Sequence, residues 1–340
     1  MPEMEKVERH RQNPSLFSMS QKGTVIHMPT EVNGLVSVVV LTHNKKEVLR
    51  QCLSSVLELD WPNLEVIVID NVSSDGTPDM VEKEFGGAVR LIRRTVDSPT
   101  AGRNQGFCEA SGEIILSLDN DMIFHDRAAI RRAVALFESL PDVGLITFKI
   151  GESTHPDEPV RRHWWHPVSY ERGKDRFFYT DYFSEGAIFV RKNAIKITDG
   201  YDDEFFGAYE GVDLALRMIR RGLKILYVPS IACEELTVPR VPGKPTTHWE
   251  YFYLRNKIWT AWKHYPPLRA AWYVAPRIVR DLGRSIVYGW TSQFWKGIRD
   301  GIFAPDFIRE QRQPLGSETW KTIREIRRGQ FCEPANGVSV

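Results

Sequence analysis

Short apolar runs alternating with stretches of helical spacing set the rhythm of this chain from Val36 onward. Val36-Ser-Val-Val-Val-Leu-Thr42 reads as a buried strand and Lys46 to Glu58 as an amphipathic helix. After a turn at Trp61-Pro62-Asn63, Leu64 to Ile69 is a second strand, Pro78 to Phe85 a short helix, Val89 to Arg93 a strand and Ala101 to Ala110 a helix. Glu113 to Leu118, Arg127 to Ser139 and Val143 to Ile150 continue as strand, helix and strand. Continuous β-branched runs need both faces covered, so this order predicts an α/β fold with a mostly parallel sheet clad in helices.

The rhythm breaks over 151–180, where His155, Pro156, His163, Trp164, Trp165 and His166 stand among charges; a loop excursion or hairpin over the sheet rim is expected. It resumes with Gly186 to Val190 as a strand, Gly211 to Arg221 as a helix stopped by Gly222, and Leu223 to Val228 as a strand before Pro229. From about Thr247 to Arg328 the pattern is helical and rich in tryptophan. Residues 1–33 are polar and aperiodic, a loose arm with one short strand near Thr24 to Met28. The expected division is therefore an arm over 1–33, an α/β domain over 34–240 and a helical extension over 241–340.

Composition narrows the function class. A net charge of +1 over 340 residues argues against a nucleic-acid partner. Cys52, Cys108, Cys233 and Cys332 show no metal-type spacing, which favours a reducing cytoplasm over a disulfide framework. The N-terminus is charged and lacks the apolar segment of a secretory signal. No stretch reaches the roughly 18 apolar residues of a membrane span.

The strongest chemical signal is Ile114-Ile-Leu-Ser-Leu-Asp119-Asn120-Asp121, an apolar strand emptying into two carboxylates. Strand ends are where an α/β sheet meets its ligand. Paired oxygen donors there suit Mg²⁺ or Mn²⁺ shared with substrate phosphates. Leu64-Glu-Val-Ile-Val-Ile-Asp70-Asn71 repeats the pattern. Neither GxGxxG after a strand nor GxxxxGK[ST] is present, so phosphate charge has to be met by a metal and by cationic side chains.

Taken in order, Thr42-x-Asn44, Asp70-Asn-x-Ser73-x-Asp75-Gly-Thr77, Arg103-Asn104-x-Gly106, Asp119-Asn120-Asp121, Gly200-Tyr-Asp-Asp-Glu-Phe-Phe and Tyr209-Glu210-Gly-Val-Asp213-Leu-Ala-Leu-Arg217 resemble the family 2 glycosyltransferases, inverting sugar transferases of the GT-A fold. The resemblance covers roughly Val36 to Val228, and Tyr253-Leu-Arg255-Asn256 is similar to a segment that many members carry beyond it. It implies that Asp70 accepts a hydrogen bond from a pyrimidine base, which mildly favours a UDP- or dTDP-sugar. Thr42, Asn44, Ser73 and Asp75 would line the base and ribose pocket, with Arg103, Asn104, Asp119 and Asn120 nearer the ribose and diphosphate. Asp121, with Asp119, would hold Mn²⁺ or Mg²⁺.

The chain departs from the family pattern twice. An acidic pair is usual where this chain has Glu210-Gly211, and the second acid of that pair is usually the base that takes the acceptor proton. Glu210 is therefore the expected base, with Asp213 orienting it or substituting for it. A histidine usual after the last core strand is missing, and Glu234, Glu235 or His248 could fill the third metal position; Glu235 is the expected choice. Trp164 and Trp165, beside His166, could stack on an acceptor sugar, and Glu185 could bond one of its hydroxyls.

The implied activity is metal-dependent transfer from a nucleotide sugar to a glycan or lipid-linked acceptor. Two competitors are a sugar-phosphate nucleotidylyltransferase, which would want a Gly-rich basic loop where Thr42-His-Asn-Lys-Lys stands, and a degenerate carbohydrate-binding relative, for which Gly211 speaks. From Lys263 to Arg328 there are 13 Lys and Arg against six Asp and Glu, interleaved with Trp272, Trp290, Trp295 and Trp320. Basic helices bearing tryptophan suit a membrane interface, so peripheral attachment at the inner face of the cytoplasmic membrane is expected. A dimer contact or packing onto the α/β domain is the competing use of these helices.

Overall fold

The computed structural model describes residues 34–152, 161, 164–236 and 247–332, with only the backbone at 247 and 248. The expected arm with its short strand, residues His155, Pro156 and His163, the His248 side chain and the boundary near 240 lie outside the described residues.

Nine strands form one sheet among the described residues: β1 (Leu35–Thr42), β2 (Asn63–Asp70), β3 (Arg90–Arg93), β4 (Ile114–Asp119), β5 (Met122–Ile123), β6 (Val143–Glu152), β7 (Phe178–Thr180), β8 (Ala187–Arg191) and β9 (Lys224–Glu235). Their order is β3-β2-β1-β4-β8-β6-β9-β5, with β7 added on β9. Helices α1 (Lys46–Leu57), α2 (Thr77–Phe85) and α4 (Ala129–Ser139) cover one face, and α3 (Pro99–Glu109), α6 (Lys192–Thr198) and α7 (Glu210–Arg220) the other. Both faces of β1 are sealed, which is why its run of valines shows no alternation.

The register fixes the rim. β1 runs parallel to β2 and β4, so Thr42 pairs with Asp70 and Leu41 with Asp119. Three of the predicted donor residues thus share one carboxyl edge. A short α5 (Tyr170–Gly173) precedes β7.

The sheet is mixed rather than simply parallel. β8 runs antiparallel between β4 and β6, with Leu118 opposite Ala187. This brings the residues before β8, Glu185 and Gly186, to the same rim, where Asp119 N donates to Gly186 O at 2.7 Å. The last strand does not stop at Pro229. It continues to Glu235 through an irregularity between Val228 and Ala232, where proline's missing N–H costs no ladder bond.

The helical extension comprises α8 (Thr247–His264), α9 (Pro267–Val287), α10 (Thr291–Ile302), α11 (Asp306–Glu310) and α12 (Ser317–Arg327). α8 packs on α7 through Ala261 and Tyr265 against Leu216 and Ile219, and a buried Lys257–Asp281 ion pair ties it to α9. No described helix is long and apolar enough to cross a membrane.

Candidate active site

The rim is assembled from four places. Two loops, 42–46 and 70–77, are zipped together: Asn44 N donates to Ser73 Oγ at 2.9 Å, Ser74 N to Asn44 Oδ1 at 2.7 Å, and Lys46 N to Asp75 Oδ2 at 3.1 Å. Asp75 thereby caps α1 from outside its own helix, since the N-cap Lys45 makes no such bond. Asp70 accepts from Ser73 N at 3.2 Å through Oδ2, while its Oδ1 is buried without a partner. Thr42 receives Asn120 Nδ2 at 2.9 Å, so Asn120 braces the floor of the site.

Arg103 arrives on α3, which lies close on the sheet because Gly102 and Gly106 lack side chains. A Cβ at 102 would stand 2.7 Å from Leu41 Cδ1, and one at 106 would collide with Val39 Cγ1. The buried guanidinium pairs with Asp119 Oδ1 through Nη2, while Nη1 has no partner. Asn104, expected at the nucleotide, has its amide taken up elsewhere. It donates to Tyr201 O at 2.8 Å and Asp203 Oδ1 at 2.6 Å, and accepts from Tyr201 N at 2.8 Å.

Asp121 Oδ2 meets Lys45 Nζ at 2.7 Å, and its Oδ1 is buried without a partner. The expected third ligand does not join it. Glu235 stands opposite Met122 in the backbone register of β9 and β5, and Glu234 is bonded to His125 Nε2 at 2.6 Å. Among the described residues no three His, Cys, Asp or Glu lie together as a metal cluster. The donor set that fits a cation is therefore Asp121 with Asp119, the remaining ligands coming from diphosphate and water.

Glu210 begins α7 after an unusual approach. Phe206, Gly207, Ala208 and Tyr209 all have positive φ, at 56°, 102°, 71° and 68°. Three of these are not glycine, and such a run persists only when held from outside. Asn256 on α8 holds it, its Nδ2 donating to the carbonyls of Phe205 and Ala208 at 2.7 Å and of Gly207 at 3.2 Å. Glu210 Oε2 is buried without a partner. Burial first, and then the neighbouring Glu185 carboxylate, push Glu210 up to about 8. Burial likewise raises Glu185 and Asp119. Four carboxylates (Asp119, Asp121, Glu185 and Glu210) face two cations, Arg103 and Lys45, so the site is short of positive charge.

Asp213, expected beside Glu210, is elsewhere. It is 0% exposed, and both oxygens are occupied: His264 at 2.7 Å and Lys263 at 2.8 Å on Oδ1, Arg217 at 2.7 Å on Oδ2. Glu210 and Asp213 share a helical face by spacing, but α8 packs Lys263 and His264 against residue 213. Burial alone would raise Asp213, but Arg217, Lys263 and His264 outweigh it and hold the carboxyl well below its usual range. It is a structural hub, with no oxygen open to a substrate.

The two tryptophans also part company. Trp164 packs edge-on among His166, Tyr170 and Tyr227, and donates to Val168 O at 2.7 Å. It belongs to the protein's own packing rather than to an acceptor. Trp165 is 50% exposed and stacks on Tyr182, whose hydroxyl feels Glu185. Lys45, Tyr201, Asn256, Lys263 and His264 were not assigned roles from sequence. Asn256, within Tyr253-Leu-Arg255-Asn256, and Tyr201, within Gly200-Tyr-Asp-Asp-Glu-Phe-Phe, carried a signal.

This arrangement of a mixed sheet with acids on the carboxyl rim is the GT-A fold, shared with nucleotide-sugar transferases of known structure. TarS of Staphylococcus aureus, residues 1-349 in complex with UDP-GlcNAc, aligns over 81% of this chain and 83% of its own with a TM-score of 0.58 at 17% identity. The mannosyltransferase PcManGT from Pyrobaculum calidifontis, in complex with GDP-Man and Mn²⁺, aligns over 86% and 84% with a TM-score of 0.51 at 18% identity. Residues 37–197 match the model for glycosyl transferase family 2. In sequence the chain is 30% identical over 114 residues to the poly-beta-1,6-N-acetyl-D-glucosamine synthase of Staphylococcus epidermidis, 33% of this chain and 27% of that protein. The chain spans less than a third of the length of such curated relatives.

Proposed function

We propose that this chain transfers a sugar, with inversion, from a nucleoside diphosphate donor to a glycan or lipid-linked acceptor hydroxyl, assisted by Mn²⁺ or Mg²⁺. One observation carries the reading. Five buried polar atoms on a single rim lack partners: Asp70 Oδ1, Arg103 Nη1, Asp121 Oδ1, Tyr201 Oη and Glu210 Oε2. Unsatisfied buried groups are costly, and so many together point to a polar ligand.

Asp70 Oδ1 is suited to the ring N–H of a uracil or thymine. Arg103 Nη1 is suited to the diphosphate, with its other amino group held by Asp119. Asp121, with Asp119, would hold the cation. When bound, such an ion neutralises charge on the departing diphosphate. Glu185 and Glu210 lie beside this centre and offer a carboxylate to the acceptor hydroxyl. Trp165 and Tyr182 offer aromatic faces to the acceptor sugar.

The test is turnover of UDP-, dTDP- and GDP-sugars with Mn²⁺. Slow release of nucleoside diphosphate supports the transferase, and retained nucleotide binding without turnover supports a degenerate relative. Asp70→Ala is expected to weaken UDP binding by about 1–3 kcal/mol, roughly fivefold or more. Titration of the variant with UDP would refute the base contact if affinity were unchanged.

We also propose that α9 and α10 lie on the cytoplasmic face of the membrane. Leu268, Trp272, Val279 and Ile286 form an outward strip, with Trp272 83% exposed, and Arg269, Arg280 and Arg284 lie on the same helix. Exposed apolar groups set among cations favour anionic lipid. Trp272→Glu should reduce co-sedimentation with anionic vesicles at low salt by severalfold. Wild-type protein that stays in the supernatant would dispose of the idea.

A further inference from the structure

The rim holds two carboxylates that no cation claims, Glu185 and Glu210, and the geometry separates their roles. Glu185 Oε1 accepts the backbone N–H of Gly211 at 3.0 Å. That N–H is one of the free donors in the first turn of α7, so it and the helix dipole favour negative charge on Glu185. Glu210 has only its own backbone N–H, and its Oε2 has no donor, whereas Glu185 has its own N–H and that of Gly211. Of two adjacent buried acids that repel each other, the one with fewer donors keeps the proton. The missing side chain at 211 makes this possible. A Cβ there would collide with Glu185 Oε1 and stand 2.7 Å from Cδ and 2.9 Å from Cγ. The Glu185 carboxylate therefore occupies the space that any acid at 211 would need.

We propose that Glu185, not Glu210, is the base of the transfer, acting from the volume that a side chain at residue 211 would otherwise fill. The inference rests on the transferase reading above. In the step, the acceptor O–H gives its proton to a Glu185 carboxylate oxygen. The acceptor oxygen forms its bond to the sugar C1 as the bond from C1 to the diphosphate oxygen breaks, and the electron pair leaves with the diphosphate. Glu210 stays protonated next to Glu185, and Gly211 N–H keeps Glu185 aimed. Antiparallel β8 is what delivers this residue to the rim; a parallel strand there would have placed its preceding residues at the opposite edge.

The experiment compares Glu185→Gln, Glu210→Gln and the double variant Glu185→Ala/Gly211→Asp, which returns a carboxylate to the same volume from the other chain segment. Turnover of a nucleotide sugar, UDP affinity and thermal melting are measured on each full-length protein. Glu185→Gln should lower kcat by about 10²–10⁴-fold with UDP affinity and melting little changed. Glu210→Gln should lose about tenfold or less. The double variant should recover at least about tenfold over Glu185→Ala alone. The proposal is overturned if Glu185→Gln keeps more than a tenth of wild-type kcat, if Glu210→Gln falls as far, or if the folded, UDP-binding double variant recovers nothing. If wild-type protein turns over no nucleotide sugar, the transferase reading itself falls and takes this assignment with it.

Discussion

Asp121→Asn is expected to lower sugar transfer by at least about a hundredfold and to abolish its dependence on added Mn²⁺. The variant keeps the size of the side chain but gives up its negative charge at a centre where Oδ1 has no other partner. Lys45, 39% exposed, can turn to solvent once its ion pair is weakened, so folding should survive. Steady-state rates with and without chelator provide the check. Full activity in chelator, in either protein, would remove the cation from the reading.

Asp213→Asn should act on stability instead. The change leaves Lys263 and His264 facing a neutral amide in a fully buried pocket, and breaking a buried charge cluster costs about 3–5 kcal/mol. For a chain of this size, that is a melting temperature lower by roughly 4–7 °C. Turnover should fall through displacement of α7, with UDP binding the least affected. Lost turnover with an unchanged melting curve would instead make Asp213 a reactive acid.

The same cluster sets a pH dependence. Asp213 is held below its ordinary value, so its contribution is present above about pH 4 and is lost as pH falls through the depressed folded value. Burial first lowers His264, so the unfolded imidazole takes up a proton before the folded one does. Stability should therefore begin to decline on acidification from about pH 6.5. Melting curves across about pH 2–8 would show it, and the part due to Asp213, below about pH 4, should vanish in the variant.

Much of the donor side was legible because it is local. A strand that ends in an acid carries its own signal, and β1, β2 and β4 run parallel, so Thr42, Asp70 and Asp119 reach one edge. Asn104 and Asn120 were placed in the right neighbourhood, but their amides brace the loop at 201–203 and Thr42. A sequence shows that an amide is near a site, not which partner has claimed it. Trp164 and Trp165 make the same point, since adjacent residues in an extended segment face opposite ways.

The acid side was less legible. Glu210 and Asp213 share a helical face by spacing, yet α8 turns one into a cation-bound hub and leaves the other open. Nothing near residue 211 announces that Glu185 fills its missing side chain. That contact depends on an antiparallel strand 26 residues earlier in the chain.

By itself, then, the sequence determined the alternating α/β order, the acids at the strand ends, and the basic tryptophan-bearing helices. Periodicity and strand ends are properties of consecutive residues, so they can be read without the fold. Only the tertiary structure decided which carboxylates are free, which are neutralised and which strands reverse direction. Those outcomes depend on desolvation and on charges brought together from distant segments, and they exist only once the segments meet.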